Sequence, residues 1–391
     1  VLGMALISVG TLLFIFNIFA TVFYTEKGHE KRPIKPLVMS ACGIDGMLNI
    51  WAKITKKPAY SKEPALSLPV AAIFRGSIDT FLDALVILSV GVLLLVYIFG
   101  NMFGVEMDVK AVDALLYKNW FWWGLDLIAD GLVLIYVAGA WYLLATMITG
   151  RKLFMENVAR AALLIELVVS WAVWSHHLLS DQGQPNMMKL ASGEMVTAFE
   201  LVTQGIAIFI TLVTLWQAKP LKMTNELKFL LGGLLGFGLA VPAGILQADL
   251  GLNRVLHNTQ WIVGPHVHVA ILVGLAMTLH SAVYILFPIL TNGAKLWSQK
   301  LANIHFWGQL IGGIGMGAFM GMAGLDGMLR RALYENGEFN TYMILAAVCG
   351  ALLIIAWIAF IGNIIMSVGL RGVIGIFLPA KLTTLDPLPS E

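Results

Sequence analysis

Long apolar stretches separated by short polar connections recur along the whole chain, at residues 1 to 24, 67 to 100, 121 to 148, 153 to 178, 190 to 217, 227 to 247, 260 to 290, 302 to 325 and 341 to 368. Each is about as long as the ~20 residues with which an α-helix crosses a hydrocarbon layer roughly 30 Å thick. The pattern predicts an all-α polytopic membrane protein with about nine transmembrane helices. It shows no soluble domain and no repeat, so residues 1 to 391 read as a single integral membrane domain.

The polar connections alternate in charge. The segment 25 to 66 carries Lys27, Lys31, Arg32, Lys35, Lys53, Lys56, Lys57 and Lys62, whereas 101 to 120 is acidic or balanced. Further on, Arg151 and Lys152 alternate with Asp181 and Lys189, then Lys219, Lys222 and Lys228 with Asp249 and Arg254, and Lys295 and Lys300 with Arg330 and Arg331 among acids. Lysine and arginine accumulate on cytoplasmic connections, which makes 25 to 66 cytoplasmic, the start of this chain outside and its end inside.

Composition agrees: 59% of residues are hydrophobic, 12% are charged and the mean hydropathy is +0.82. The solvent for most of this surface is membrane lipid. A net charge of +2 without a basic cluster interleaved with aromatics excludes nucleic acid as a partner. Cys42 and Cys349 are the only cysteines, too few for a thiolate site, so any metal must be held by histidine and carboxylate.

Polar side chains inside apolar runs are costly and mark function by default. His266 and His268 lie near the outer end of the 260 to 290 run, in HNTQWIVGPHVHVA. Positions two apart on a helix point about 200° apart, so the pair can serve two different centres. The adjacent His176 and His177, in WSHHLLSDQGQP, can meet one metal if the helix loosens there, which the following Gly and Pro permit. Asp126 and Asp130, in WWGLDLIADG, are four apart and share a face. At 1.5 Å per residue, these groups fall within roughly 10 Å of the same outer surface. Deeper lie Glu166 and Glu200, the latter beside Thr197, Thr203 and Gln204; they mark a proton path from the cytoplasm, with Glu194 marking one from outside. Arg75, Asp79 and Asp83 are spaced to neutralise one another along a helix.

These motifs resemble the main subunit of the heme-copper oxidase superfamily, close to the B-type oxidases. The adjacent histidines resemble the distal metal ligands, the H-x-H its last haem-ligating helix, and IHFWGQLIGG with LDGMLRR its segment before the propionate-binding arginines. The resemblance implies that His266 holds a high-spin haem, that His268 holds a low-spin haem and that Arg330 and Arg331 bind propionates, with Leu329 where the family usually has Pro. Pro265 resembles a one-residue insertion. The nine runs match helices four to twelve of the family core. Three helices would then be absent, one carrying the second ligand of the low-spin haem, and another polypeptide or a preceding segment would supply them. The absence of an initiator Met before Val1 points the same way. An outer electron-donating subunit, a cupredoxin or a cytochrome c, is implied, as is a bacterial or archaeal cytoplasmic membrane.

The departure from the family is at Asp126 and Asp130. Similar oxygen reductases have His and then Tyr at this spacing after the WW pair, whereas the family's nitric oxide reductases have His and then Glu-Gly. Two imidazoles with a carboxylate suit iron, while an all-imidazole set suits copper. The resemblance therefore implies a non-haem iron held by His176, His177 and Asp126, with Asp130 as a further ligand or a proton donor, and a small gaseous substrate, nitric oxide. The tyrosine that supplies an electron for O–O cleavage is replaced by Asp130, which cannot be oxidised. Two alternatives stand beside this reading: an oxygen reductase with copper in an altered distal site, and a non-catalytic haem-binding paralogue.

Overall fold

The computed structural model describes residues 2–24, 33–104, 114–174, 176–180 and 183–377, and these are helical with only one isolated β-bridge. Lys27, Lys31, Arg32 and Asp181 of the charge pattern lie outside the described residues. Among the described residues, eight helical stretches are long and apolar enough to cross a membrane, or nine if one bent helix pair counts as a span. The eight correspond to eight of the nine apolar runs.

The contacts divide the chain into two units, with the boundary inside one helix. The first comprises Val1–Leu221 and Val241–Asn258. It contains α1 (Leu2–Phe23), α2 (Ile34–Cys42), α3 (Ile44–Ile54), α4 (Leu68–Met102), α5 (Ala114–Ile128), α6 (Tyr136–Thr149), α7 (Glu156–Ser170), the short α8 (Asn186–Met188), α9 (Val196–Gln217), the end of α10 (Asn225–Ile245) and α11 (Leu250–Leu256). The second comprises Lys222–Ala240 and Thr259–Glu391, with the rest of α10, α12 (Ala276–Leu290), α13 (Gln299–Leu325) and α14 (Asn340–Phe377).

The ninth run, 153 to 178, departs from expectation. Its α-helix α7 has 15 residues and ends at Ser170, about 22 Å at 1.5 Å per residue. Trp171 follows in a turn, and its carbonyl accepts a hydrogen bond from Trp123 Nε1 at 3.1 Å, which satisfies one of the groups a helix end exposes. The chain then tightens into a short 3₁₀ turn, His176–Leu178. The loosening that the adjacent histidines require is therefore present, and it begins before them as well as after.

The connection predicted over 25 to 66 is more ordered than a loop. α2 and α3 meet at an 84° bend, made possible by Gly43 at φ +76°. Two buried arginines hold the pair against the bundle. Arg75 donates from Nε to the Ala41 carbonyl at 2.8 Å and from one terminal nitrogen to the Arg160 carbonyl at 3.0 Å. Arg160 donates to the Leu66 carbonyl at 2.8 Å and to Glu156 Oε1 at 2.7 Å, with Asp45 Oδ2 at 3.7 Å. Arg75 thus bonds backbone oxygens, and the pairing with Asp79 and Asp83 expected from spacing does not form. Asp79 instead accepts from Trp171 Nε1 at 2.9 Å and Ser170 Oγ at 3.2 Å. A guanidinium directs its donors across a fork, and carbonyls presented by two neighbouring helices fit that fork better than carboxylates on its own helix.

Three stretches adopt π-helical geometry: Ala129–Ile135, Lys189–Met195 and Ile262–Leu275. Each closes i→i+5 hydrogen-bonded rings and so accommodates one more residue per ring than an α-helix. The third contains Pro265, which supplies no N–H to an α-helical ladder.

Candidate functional site

In the first unit, Asp126, His176 and His177 each offer a donor atom, and all three donors lie within 4.8 Å of one another. His177 Nε2 is 2.7 Å from Asp126 Oδ1. α5 delivers Asp126 near its end, whereas the 3₁₀ turn delivers both imidazoles. The rings of His176 and His177 are 4.8 Å apart at 75°, so adjacent residues aim at one point with their planes nearly crossed. Trp122 packs on His177 with ring centroids 4.5 Å apart, giving the WW pair a structural role on the metal side as well as at Trp171.

Hydrogen bonding fixes the form of His176. Its Nδ1 is 2.6 Å from Thr197 Oγ1, and that hydroxyl donates its one hydrogen to the Gly193 carbonyl at 2.5 Å. Towards His176 the hydroxyl can therefore only accept, so Nδ1 carries the proton and Nε2 presents its lone pair. A metal-binding histidine is characteristically oriented in this way. Thr197 was noted in the sequence only as a polar neighbour of Glu200. His257 is a second residue that sequence reasoning left without a role: it is buried, with its ring 5.4 Å from that of His177. Its signal was the HNTQW motif.

Asp130 does not join the three gathered donors. It sits in the π-helical turn, 6% exposed, and its Oδ2 has no hydrogen-bond partner among the described residues. Its electrostatic neighbours are Glu200, Glu166, Asp126 and Asp79. The following Gly131 explains the proximity to α4: a Cβ there would lie 2.8 Å from the Gly76 carbonyl and 3.0 Å from Asp79 Cβ. Only glycine permits this approach. Glu166 is fully buried and accepts a hydrogen bond from Thr203 Oγ1, while its Oε1 has no partner among the described residues. Glu200 likewise keeps Oε1 without a partner. Glu194 is engaged elsewhere, accepting from the Leu250 N–H at 3.1 Å.

In the second unit, His266 and His268 lie in the long π-helical stretch. His266 Nδ1 is 2.9 Å from the Ala240 carbonyl and His268 Nδ1 is 2.5 Å from the Val263 carbonyl. A carbonyl only accepts, so both rings carry hydrogen on Nδ1, the orientation characteristic of a histidine that ligates through Nε2. The Arg330 and Arg331 turn is tied to the HNTQW segment by the Gln260 N–H donating to the Met328 carbonyl at 2.9 Å and by the bridge between Thr259 and Leu329. Arg331 has φ +63°. Burial and the adjacent Arg331 guanidinium lower Arg330 from its ordinary value.

Residues 1–352 match the family model of cytochrome c and quinol oxidase polypeptide I. The chain belongs to this family. Among its relatives, cytochrome c oxidase polypeptide 1 of Halobacterium salinarum is 30% identical over 207 residues, covering 53% of this chain and 34% of the relative. Cytochrome c oxidase subunit 1 of Thermus thermophilus is 27% identical over 285 residues, covering 65% and 48% respectively. The heme-copper oxidase subunit I+III of Aeropyrum pernix is 24% identical over 203 residues, 52% of this chain and 24% of that one. The matched stretch thus spans between about a quarter and a half of these relatives. A heme-copper terminal oxidase dimer solved by cryo-electron microscopy shares the fold, with TM-score 0.64, 19% identity, and coverage of 92% of this chain and 74% of that chain. The cytochrome c and quinol oxidase polypeptide I family is one of integral membrane oxidoreductases that bind haem together with copper or iron. The first two of these relatives are named cytochrome c oxidases and the third a heme-copper oxidase, and none of the three is named a nitric oxide reductase.

Proposed function

We propose that the chain is the catalytic main subunit of a respiratory nitric oxide reductase, with non-haem iron at Asp126, His176 and His177 and with haems on His266 and His268. The observation that supports this most is the donor set. Two imidazoles, one locked with Nε2 available, converge on one carboxylate, the combination suited to high-spin iron(II) with open positions. Iron held by these residues would supply redox chemistry for the reduction of two NO, with two electrons and two protons, to N₂O and H₂O.

The residues of the chain do the rest. Asp126 contributes negative charge that balances the cation in an apolar setting. Thr197 holds His176 in one tautomer. Glu166 and Glu200 pass protons outward and Asp130 delivers them beside the metal donors, in place of serving as a ligand. Arg330 and Arg331 hold propionate carboxylates, for which a guanidinium fork is suited. Electrons would come from an outer cupredoxin or cytochrome c. The basic connection faces the cytoplasm of a bacterium or archaeon.

The names of the relatives favour a second reading, an oxygen reductase with copper at this site. Metal analysis of the purified complex separates the two. One non-haem iron for each two haems, with anaerobic N₂O formation from NO, supports the proposal, whereas stoichiometric copper with oxygen consumption overturns it. Absence of both metals from an intact haem complex favours the non-catalytic paralogue.

A further inference from the structure

The bent helix pair between α1 and α4 has two contrasting sides. α3 buries Asp45, Gly46, Asn49 and Ala52, and turns Met47, Trp51 and Ile54 outward at 45%, 61% and 69% exposure. Steps of four and three place these apolar residues on one stripe. Lys53 lies in the last turn of the same helix and Lys56, Lys57 and Lys62 follow it, all exposed, with Glu63 the one acid in residues 50 to 66.

A cavity of about 240 Å³ opens at this boundary, lined in part by Asn49, Lys53, Ser61, Lys62 and Asn157. Its frame is rigidly tied. The Ser61 N–H donates to Asn49 Oδ1 at 3.1 Å, and Asn49 Nδ2 donates to the Ser61 carbonyl at 3.0 Å and to Asn157 Oδ1 at 3.3 Å. Glu156 also lines the cavity, but its Oε1 is held by Arg160 at 2.7 Å, so its charge is already matched. Lys53 and Lys62 leave the mouth positive.

An amphipathic helix with an apolar stripe and adjoining lysines lies in the interface of an anionic membrane, its stripe among acyl chains and its lysines among phosphates. Trp51 is suited to that depth, having an apolar body and a polar edge. We propose that this face is a binding site for an anionic phospholipid, with the headgroup phosphate between Lys53 and Lys62 and the acyl chains along Met47, Trp51 and Ile54. The charge of the cavity favours this occupant over a helix from another subunit, which would leave the lysines facing apolar surface.

The test uses the full complex in mild detergent, with native mass spectrometry to count bound phosphatidylglycerol against phosphatidylcholine. Wild type should retain phosphatidylglycerol about tenfold more strongly, and K53Q/K62Q should lose that preference while the haem spectrum is unchanged. Lys300→Gln, a change in the other unit, should keep it. A photoactivatable phosphatidylglycerol should label residues 47 to 62. The proposal is overturned if K53Q/K62Q retains the wild-type preference, if millimolar inorganic phosphate displaces the lipid and binds in its place, or if Trp51 crosslinks to a protein subunit.

Discussion

A single hydroxyl decides which nitrogen of His176 carries the proton. Because Thr197 gives its hydrogen to Gly193 and accepts from His176, Thr197→Val removes the acceptor and frees the ring to adopt the other tautomer. Loss of such a supporting partner lowers metal affinity by about 10- to 100-fold. Chelator competition on the purified complex should show that fall in Thr197→Val, while Thr197→Ser should hold its metal almost as wild type does. Asp126→Asn should have a larger effect, because it removes the anionic donor but keeps the shape. It should leave haem content unchanged and non-haem iron below a tenth of wild type by elemental analysis. Asp126, His176 and His177 were legible in the sequence because carboxylate and imidazole are conspicuous in apolar runs. Thr197 was not: threonine is ordinary in a membrane helix, where its hydroxyl can bond its own backbone, and its partner here is 21 residues away.

Hydrophobic periodicity made the long elements legible and obscured the broken ones. Eight runs became helices of spanning length because each can satisfy its backbone groups within its own segment, with π-helical winding in three of them. The 153 to 178 run looked the same but stops being α-helical at Ser170, where Trp123 and Asp79 offer side-chain partners to Trp171 that a sequence window does not contain. The pair α2 and α3 was missed for the converse reason: each half is short, lysines interrupt the apolar pattern, and their order comes from Arg75 and Arg160 on other helices. This makes Gly43 a sensitive position. Its φ is +76°, and a Cβ there would come 2.5 Å from an Arg75 terminal nitrogen and 2.6 Å from the Arg160 carbonyl. Left-handed backbone costs a non-glycine residue about 1–2 kcal/mol before any clash. Gly43→Ala should therefore lower the thermal midpoint of the detergent-solubilised complex. Arg160→Gln should lower it further, since stripping one partner from a buried charge network costs roughly 3–5 kcal/mol.

At the scale of the whole molecule, the two units carry different chemistry. Among the described residues, the buried carboxylates Asp45, Asp79, Asp83, Asp126, Asp130 and Glu166 all belong to the first unit, while His266, His268, Arg330 and Arg331 belong to the second. The proposed reduction of two NO would require two protons as well as two electrons, and the carboxylate-bearing unit is the one equipped to supply them. Glu166 is the member whose role can be isolated. It lies on α7, away from the gathered metal donors, and Thr203 donates to it. Glu166→Gln preserves side-chain size and an oxygen acceptor for Thr203, but it cannot release a proton. The variant should keep wild-type iron and haem content while its steady-state NO reduction falls on the order of a hundredfold. Stopped-flow mixing with a pH-indicator dye should show slowed proton uptake and unchanged haem reduction. Unchanged turnover would remove Glu166 from the proton route, and lost iron would reassign it to support of the metal site.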